Sequence, residues 1–319
     1  MVIDMKKAIG LILVAMFLSM GLSQLALYAK PPMWHGNTST IETSEMVVRF
    51  LNNRPWYQIW IPGKNQTATY IVKFNRIVEF LDTDADNSFD YSDETLAQAI
   101  LYEATWKVSA QTINGSEGVE LRITFNAMVQ VTYSRGGMPP NFVNVTFVNR
   151  IYDHDAEVEG IPIKGNRELK IDIIIDGWPW ANPDSKLALE IVYAGMFRGK
   201  QGTPRCEARK YQIRNRYMGC VRLQGEDAGY YAEFRYQTQA RLMSGDTEKD
   251  IKVNSTNSFT KNSATTWLVY PHFDGTLIHD PSIYVGSEGA LATIVEYLPI
   301  IALLIVVAVV IVAVAKRRK

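Results

Sequence analysis

Residues Val119 to Tyr133 read VELRITFNAMVQVTY, and from Leu121 onward every second position is apolar: Leu121, Ile123, Phe125, Ala127, Val129 and Val131. Successive side chains of a strand point to opposite faces, so a period of two gathers these six on one side. The other side carries Arg122, Thr124, Asn126, Gln130 and Thr132, with Met128 among them. One buried face and one wet face is the pattern of an antiparallel sheet packed on one side. NFVNVTFVNRIY, from Asn141 to Tyr152, repeats it with Val143, Val145 and Phe147, after the Gly- and Pro-rich turn SRGGMPPN.

The same alternation runs through VVRFL, YQIWI, TYIVKF, EATWKVSAQTI, ELKIDIII, LALEIVY, GYYAEFRYQTQARL, DIKV and TTWLVYP. These runs are rich in β-branched and aromatic residues, and turn clusters such as INGSEG, IPIKGN, WANPDS and MSGD separate them. Some eleven strands predict an all-β chain, an antiparallel β-sandwich. The one stretch with helical spacing is DETLAQAILYE, with Leu96, Ile100 and Leu101, which predicts a short helix over 93–103. No internal repeat is visible. Turn residues and charge collect over 195–204, so the body is either one large unit or two packed ones divided there.

Both ends carry membrane signals. Lys6 and Lys7 precede the uncharged apolar run Ala8–Leu22, followed by small and polar residues, which predicts a signal peptide over 1–29 with cleavage after Ser23 or after Ala29. Near the other end YLPIIALLIVVAVVIVAVA, Tyr297 to Ala315, holds no charge and is followed by Lys316, Arg317, Arg318 and Lys319. That length spans a bilayer, and the basic cluster marks a cytoplasmic side. The expected layout is an extracellular β-rich body over 30–290, a transmembrane helix with a short lead-in over 291–315 and a cytoplasmic tail at 316–319. The four terminal basic residues argue against a lipid-anchor signal.

Lys plus Arg and Asp plus Glu balance at 33 each. Four of the basic residues are the terminal KRRK, so the body is mildly acidic and gives no reason to expect nucleic-acid binding. Asn-X-Ser/Thr sequons stand at Asn37, Asn65, Asn114, Asn144 and Asn254, as expected of an exported glycoprotein. The cysteines, Cys206 and Cys220, fall in the exported region, where an oxidising compartment predicts a disulfide between them. Closing a loop of that length would add about 3 kcal/mol in the entropic account. An exported β-rich body with a C-terminal anchor and a minimal tail resembles archaeal single-pass surface proteins in general.

Between two apolar runs lies DTDADNSFDYSD, Asp82 to Asp93. An ion-wrapping loop supplies ligands from positions 1, 3, 5, 7, 9 and 12, the seventh through its backbone carbonyl. Those positions are Asp82, Asp84, Asp86, Ser88, Asp90 and Asp93, so every one carries oxygen. Position 6 needs a left-handed backbone and holds Asn87, which tolerates it next best after glycine. Position 8, usually an apolar anchor, is Phe89. The stretch resembles the EF-hand loop, specifically the dockerin-like variant with Asp rather than Glu at position 12, and the resemblance covers these twelve residues alone. It implies bound Ca²⁺. An acidic, solvated turn is the alternative.

Three other features bear on partners. Arg205, Arg209, Lys210, Arg214 and Arg216 interleave with Tyr211 and Tyr217, suiting an anionic glycan, a lipid headgroup or an acidic surface protein, or else forming the solvated face of a hairpin. Trp178 and Trp180, like Trp56 and Trp60, are placed to stack on sugars or to fill a core. The histidines His154, His272 and His279 beside Asp153, Asp274 and Asp280 show no distinctive ligand spacing, and HExxH and GxSxG are absent from the sequence, so no catalytic residue is assigned. The expected function is a membrane-anchored surface glycoprotein with a structural calcium loop, acting in adhesion, envelope structure or ligand binding. The alternative is a membrane-tethered extracellular hydrolase acting on glycans or peptides.

Overall fold

The structure, a computed structural model, describes residues 30–35, 38–62, 68–135, 139–197, 205–213, 216–224, 230–260 and 263–287. Strands β1 to β7 are Lys30–His35, Thr38–Glu42, Val47–Phe50, Trp56–Trp60, Ala68–Leu81, Glu94–Ile100 and Lys107–Asn114. Strands β8 to β15 are Val119–Tyr133, Asn141–Tyr152, Ala156–Val158, Ile161–Ile163, Glu168–Asp176, Lys186–Phe197, Arg205–Ile213 and Arg216–Gln224. Strands β16 to β22 are Tyr230–Gln237, Gln239–Ser244, Thr247–Lys252, Asn254–Phe259, Ser263–Tyr270, Thr276–His279 and Ser282–Ser287.

Pairing is antiparallel at every described ladder, in two layers. In the first, β1 to β5 follow in chain order and β13, β20 and β19 continue from the free edge of β5. In the second, β8, β9 and β12 lie side by side, and β22 and β21 share the far edge of β12. From there β16, β15 and β14 extend the β22 side, and β17 and β18 the β21 side. One strand joins the layers: β6 pairs with β5 over Arg76–Leu81 and with β8 over Val131–Tyr133.

The layers meet face to face, as in a β-sandwich. The alternation in β8 falls as its sequence predicts, with Leu121, Ile123, Phe125, Ala127, Val129 and Val131 buried. Phe125 meets Phe50 with ring centres 5.4 Å apart, Phe74 meets Phe147 at 4.8 Å and Tyr193 meets Phe234 at 5.3 Å, each pair bridging the layers. Polar bridges cross beside them: the Tyr57 hydroxyl donates to Asn149 Oδ1 at 2.8 Å and the Tyr70 hydroxyl to the Tyr230 carbonyl at 2.7 Å. A single apolar cluster runs from Ile41 to Val285 and takes residues from both sides of 195–204.

Two expectations are corrected. Residues 93–103 form no helix: 94–100 are β6 and only Leu101–Glu103 make a 3-10 turn. Leu96, Ala97 and Ala99 are buried, and β6 is paired along both edges, a demand that outweighs helical spacing and Ala propensity. The expected disulfide is not formed. The β14–β15 register sets Cys206 opposite Leu223 and Cys220 opposite Arg209, three positions out of line. At about 3.4 Å per residue that is about 10 Å along the strands, beyond the span of a disulfide.

Several expectations fall outside the described residues: the signal peptide over 1–29, the transmembrane helix over 291–315, the tail at 316–319, Asn37, Asn65, Arg214 and most of 195–204. No helix among the described residues is long and apolar enough to cross a membrane.

Candidate metal centre

The acidic loop is the connection between β5 and β6, so its two ends enter on neighbouring strands and must turn back within twelve residues. Its backbone folds around its own carboxylates. The Asn87 N–H donates to Asp82 Oδ2 at 3.1 Å, Asp86 N–H to Asp84 Oδ1 at 3.2 Å and Ser88 N–H to Asp86 Oδ1 at 2.7 Å. Ser92 N–H reaches Asp90 Oδ1 at 2.6 Å, and the Asp93 carboxylate closes the loop by accepting from Thr83 N–H at 3.2 Å and Asp90 N–H at 3.0 Å. Ala85 and Asn87 take positive φ, 61° and 62°, so position 6 has the left-handed turn expected of it.

Phe89 fastens the loop to the fold. It is buried against Phe80 at 4.9 Å and Trp267 at 4.5 Å, within a small cluster that also holds Val78, Ala188 and Val269. The loop is therefore held at its middle as well as at both ends, while Asp84, Asp86 and Asp90 stay exposed.

Carboxylate oxygens of Asp82, Asp84 and Asp86 lie within 4.8 Å of one another, the one such His/Cys/Asp/Glu group among the described residues. Burial raises the Asp82 carboxyl, but the Lys186 ammonium and the Asn87 N–H outweigh it and hold the carboxyl below its usual value. At Asp84 the Asp86 N–H favours the charge, yet partial loss of hydrating water and the neighbouring Asp86 and Asp82 carboxylates win and push it up. Ser92, through its hydroxyl and its N–H, holds Asp90 down. Mutual repulsion of this kind is what a divalent cation relieves. Hard oxygen donors suit calcium, and the converging carboxylates of Asp82, Asp84 and Asp86 would hold it; Asp90, Asp93 and the Ser88 carbonyl, the sequence's further candidates, are not part of that group.

The other sequence candidates scatter. Arg205, Arg209 and Arg216 lie on the β14–β15 hairpin, and Lys210 there is exposed. Arg222 belongs to the fold: it pairs with Glu233 at 2.6 Å and stacks over Tyr231 at 3.8 Å. Asn114 is exposed at the end of β7, while Asn144 accepts from Asn126 at 2.8 Å and Asn254 is half-buried. His279 is fully buried; its Nε2–H donates to the Gln237 carbonyl at 2.9 Å and its Nδ1 accepts from the Tyr270 hydroxyl at 2.9 Å, so it is a neutral structural residue. Trp178 is core, its indole N–H on Glu79 at 3.1 Å.

Sequence reasoning missed two buried charge centres. Glu79 accepts from Trp178, Ala181 N–H at 2.8 Å, Asn182 N–H at 3.0 Å and the Ser185 hydroxyl at 2.6 Å, pinning the 177–185 loop to β5. Lys170 is sealed between Asp172 at 2.6 Å and Asp280 at 2.9 Å. Asp172 stands two residues from Lys170 on the same strand, but Asp280 and the donors of 178–185 come from segments far along the chain, which leave no local signal. A cleft of about 500 Å³ opens beside β8–β10, lined by Glu117, Glu120, Arg150, His154, Glu157 and Glu159. No protein-family model matches the chain, and no curated protein matches it.

Proposed function

We propose that the chain is a membrane-anchored cell-surface glycoprotein whose acidic loop binds calcium to brace a β-sandwich body, acting in adhesion, envelope structure or ligand binding. The observation that carries the reading is the 82–93 loop: oxygen at six ligand positions, a left-handed residue at position 6 and a buried Phe89 that ties the ion's loop to the core. The ion braces the fold, because the loop joins the strands β5 and β6 through which the two layers are continuous. The anchor at 291–315 and the sequons supply the surface location. The basic hairpin around Arg209 and Lys210 suits an anionic glycan or surface protein as partner.

Calcium at about ten times a Kd of ~10⁻³ M adds about 1.4 kcal/mol of stability. We expect Tm to rise by about 2–4 °C, and Asp82→Ala with Asp86→Ala to abolish the rise. A melting curve of the unmutated protein that ignores calcium removes the reading. A second reading, a membrane-tethered hydrolase of glycans or peptides, draws on the cleft, which four glutamates line, two of them, Glu120 and Glu159, ion-paired to arginines; glycoside hydrolysis needs a facing pair of carboxyls.

A further inference from the structure

We propose that Lys186 is the loop's resident cation: its ammonium occupies the acidic loop when calcium is scarce and must leave Asp82 for calcium to enter, so the site carries its own competitor. This inference rests on the calcium reading above and concerns how that site is regulated.

Lys186 opens β13 and pairs with Phe80, two residues before the loop begins. Register therefore sets its backbone at the mouth of the loop, and its Nζ binds the Asp82 carboxylate through Oδ2 and the Asn87 side-chain oxygen at 2.9 Å. Positions 1 and 6 of the loop are both engaged by one ammonium. The Asp82 side chain is only 5% exposed, and its second oxygen, Oδ1, is buried with no hydrogen-bond partner. A buried carboxylate with an open oxygen, in a group whose Asp82, Asp84 and Asp86 carboxylates lie within 4.8 Å of one another, is an unfinished coordination shell.

Charge arithmetic decides the occupant. One ammonium at the Asp82 end leaves Asp84 and Asp86 facing each other, whereas a divalent ion serves all three. The two cations compete: calcium on the open Oδ1 would stand one carboxylate away from the ammonium on Oδ2, like charges at that range repel, and Lys186, a compact charge on a flexible four-carbon stem and already 22% exposed, can swing to solvent. The intrinsic affinity of the six oxygens is thereby reduced by the fraction of loops that Lys186 holds, which moves the site toward the weak range suited to extracellular calcium.

The test is calorimetric titration of calcium chloride into the purified full chain, unmutated and as Lys186→Met and Lys186→Arg. Methionine keeps the apolar stem, and we expect it to bind calcium about tenfold tighter, a gain of about 1.4 kcal/mol; arginine keeps the charge and should bind weakly. Binding by Lys186→Met with none detectable in the unmutated chain supports the proposal. Calcium binding by the unmutated chain that Lys186→Met leaves equal or weaker overturns the competitor role and spares the calcium reading. No binding by either overturns both. Should Lys186→Met fail to fold, labelling of the unmutated chain with an amine reagent decides: reactivity of Lys186 should rise with calcium, and unchanged reactivity at saturation overturns the proposal.

Discussion

His279 illustrates how burial sets the chemistry of one residue. Removal from water holds its pKa down to about 4, against the slighter upward pull of the Gln237 carbonyl and Asp280. The unfolded chain therefore binds the histidine proton at higher pH than the folded one, and stability is lost as pH falls from about 6.5 toward 4. Between pH 7 and 5 we expect a loss of about 2 kcal/mol, read from urea midpoints, and expect His279→Gln to remove most of that slope. Asp280, buried but held low by Lys170, contributes stability that is lost only at more acid pH, outside this window. A midpoint equally pH-dependent with and without His279 would refute this assignment. From the sequence His279 stood as one of several histidines beside aspartates; only its enclosure separates it from a metal ligand.

At the scale of elements, long strands carry the loops that matter. β5 holds the acidic loop at its end and, two residues short of that end, the Glu79 carboxylate that gathers four donors from 178–185. Glu79→Ala would leave those donors facing a buried void, at a cost on the order of 3 kcal/mol. We expect a lowered Tm and protease cleavage within 177–185, while Glu79→Gln, which keeps two acceptor lone pairs, should lose less. Cleavage elsewhere with 177–185 intact would count against the clamp. β6 shows why local pattern misled: its alanines and leucines read equally well as a helix, and pairing with β5 on one edge and β8 on the other decides for strand. The basic hairpin teaches the converse, since the cysteines are close in sequence yet the register holds them apart.

For the whole molecule, one apolar cluster spans both layers and both sides of 195–204, and β6 threads them together. We therefore expect the body to melt in a single calorimetric transition whose measured and van't Hoff enthalpies agree; two resolved transitions would mean two units. The sequence by itself determined the all-β class and the buried face of strands such as β8, because a period of two is a local property and apolar burial enforces it. It determined as well the spacing of oxygens in 82–93, since a loop closing on its own carboxylates depends on neighbours in sequence. The tertiary structure alone decided which strands pair, that 94–100 is extended, that Cys206 and Cys220 stand apart, that Lys170 meets Asp280, that Glu79 meets its donors in 178–185 and that Lys186 meets Asp82. Those partners lie 99 to 110 residues away in the chain, and contacts at that separation follow from register and layer packing, which no short stretch of sequence encodes.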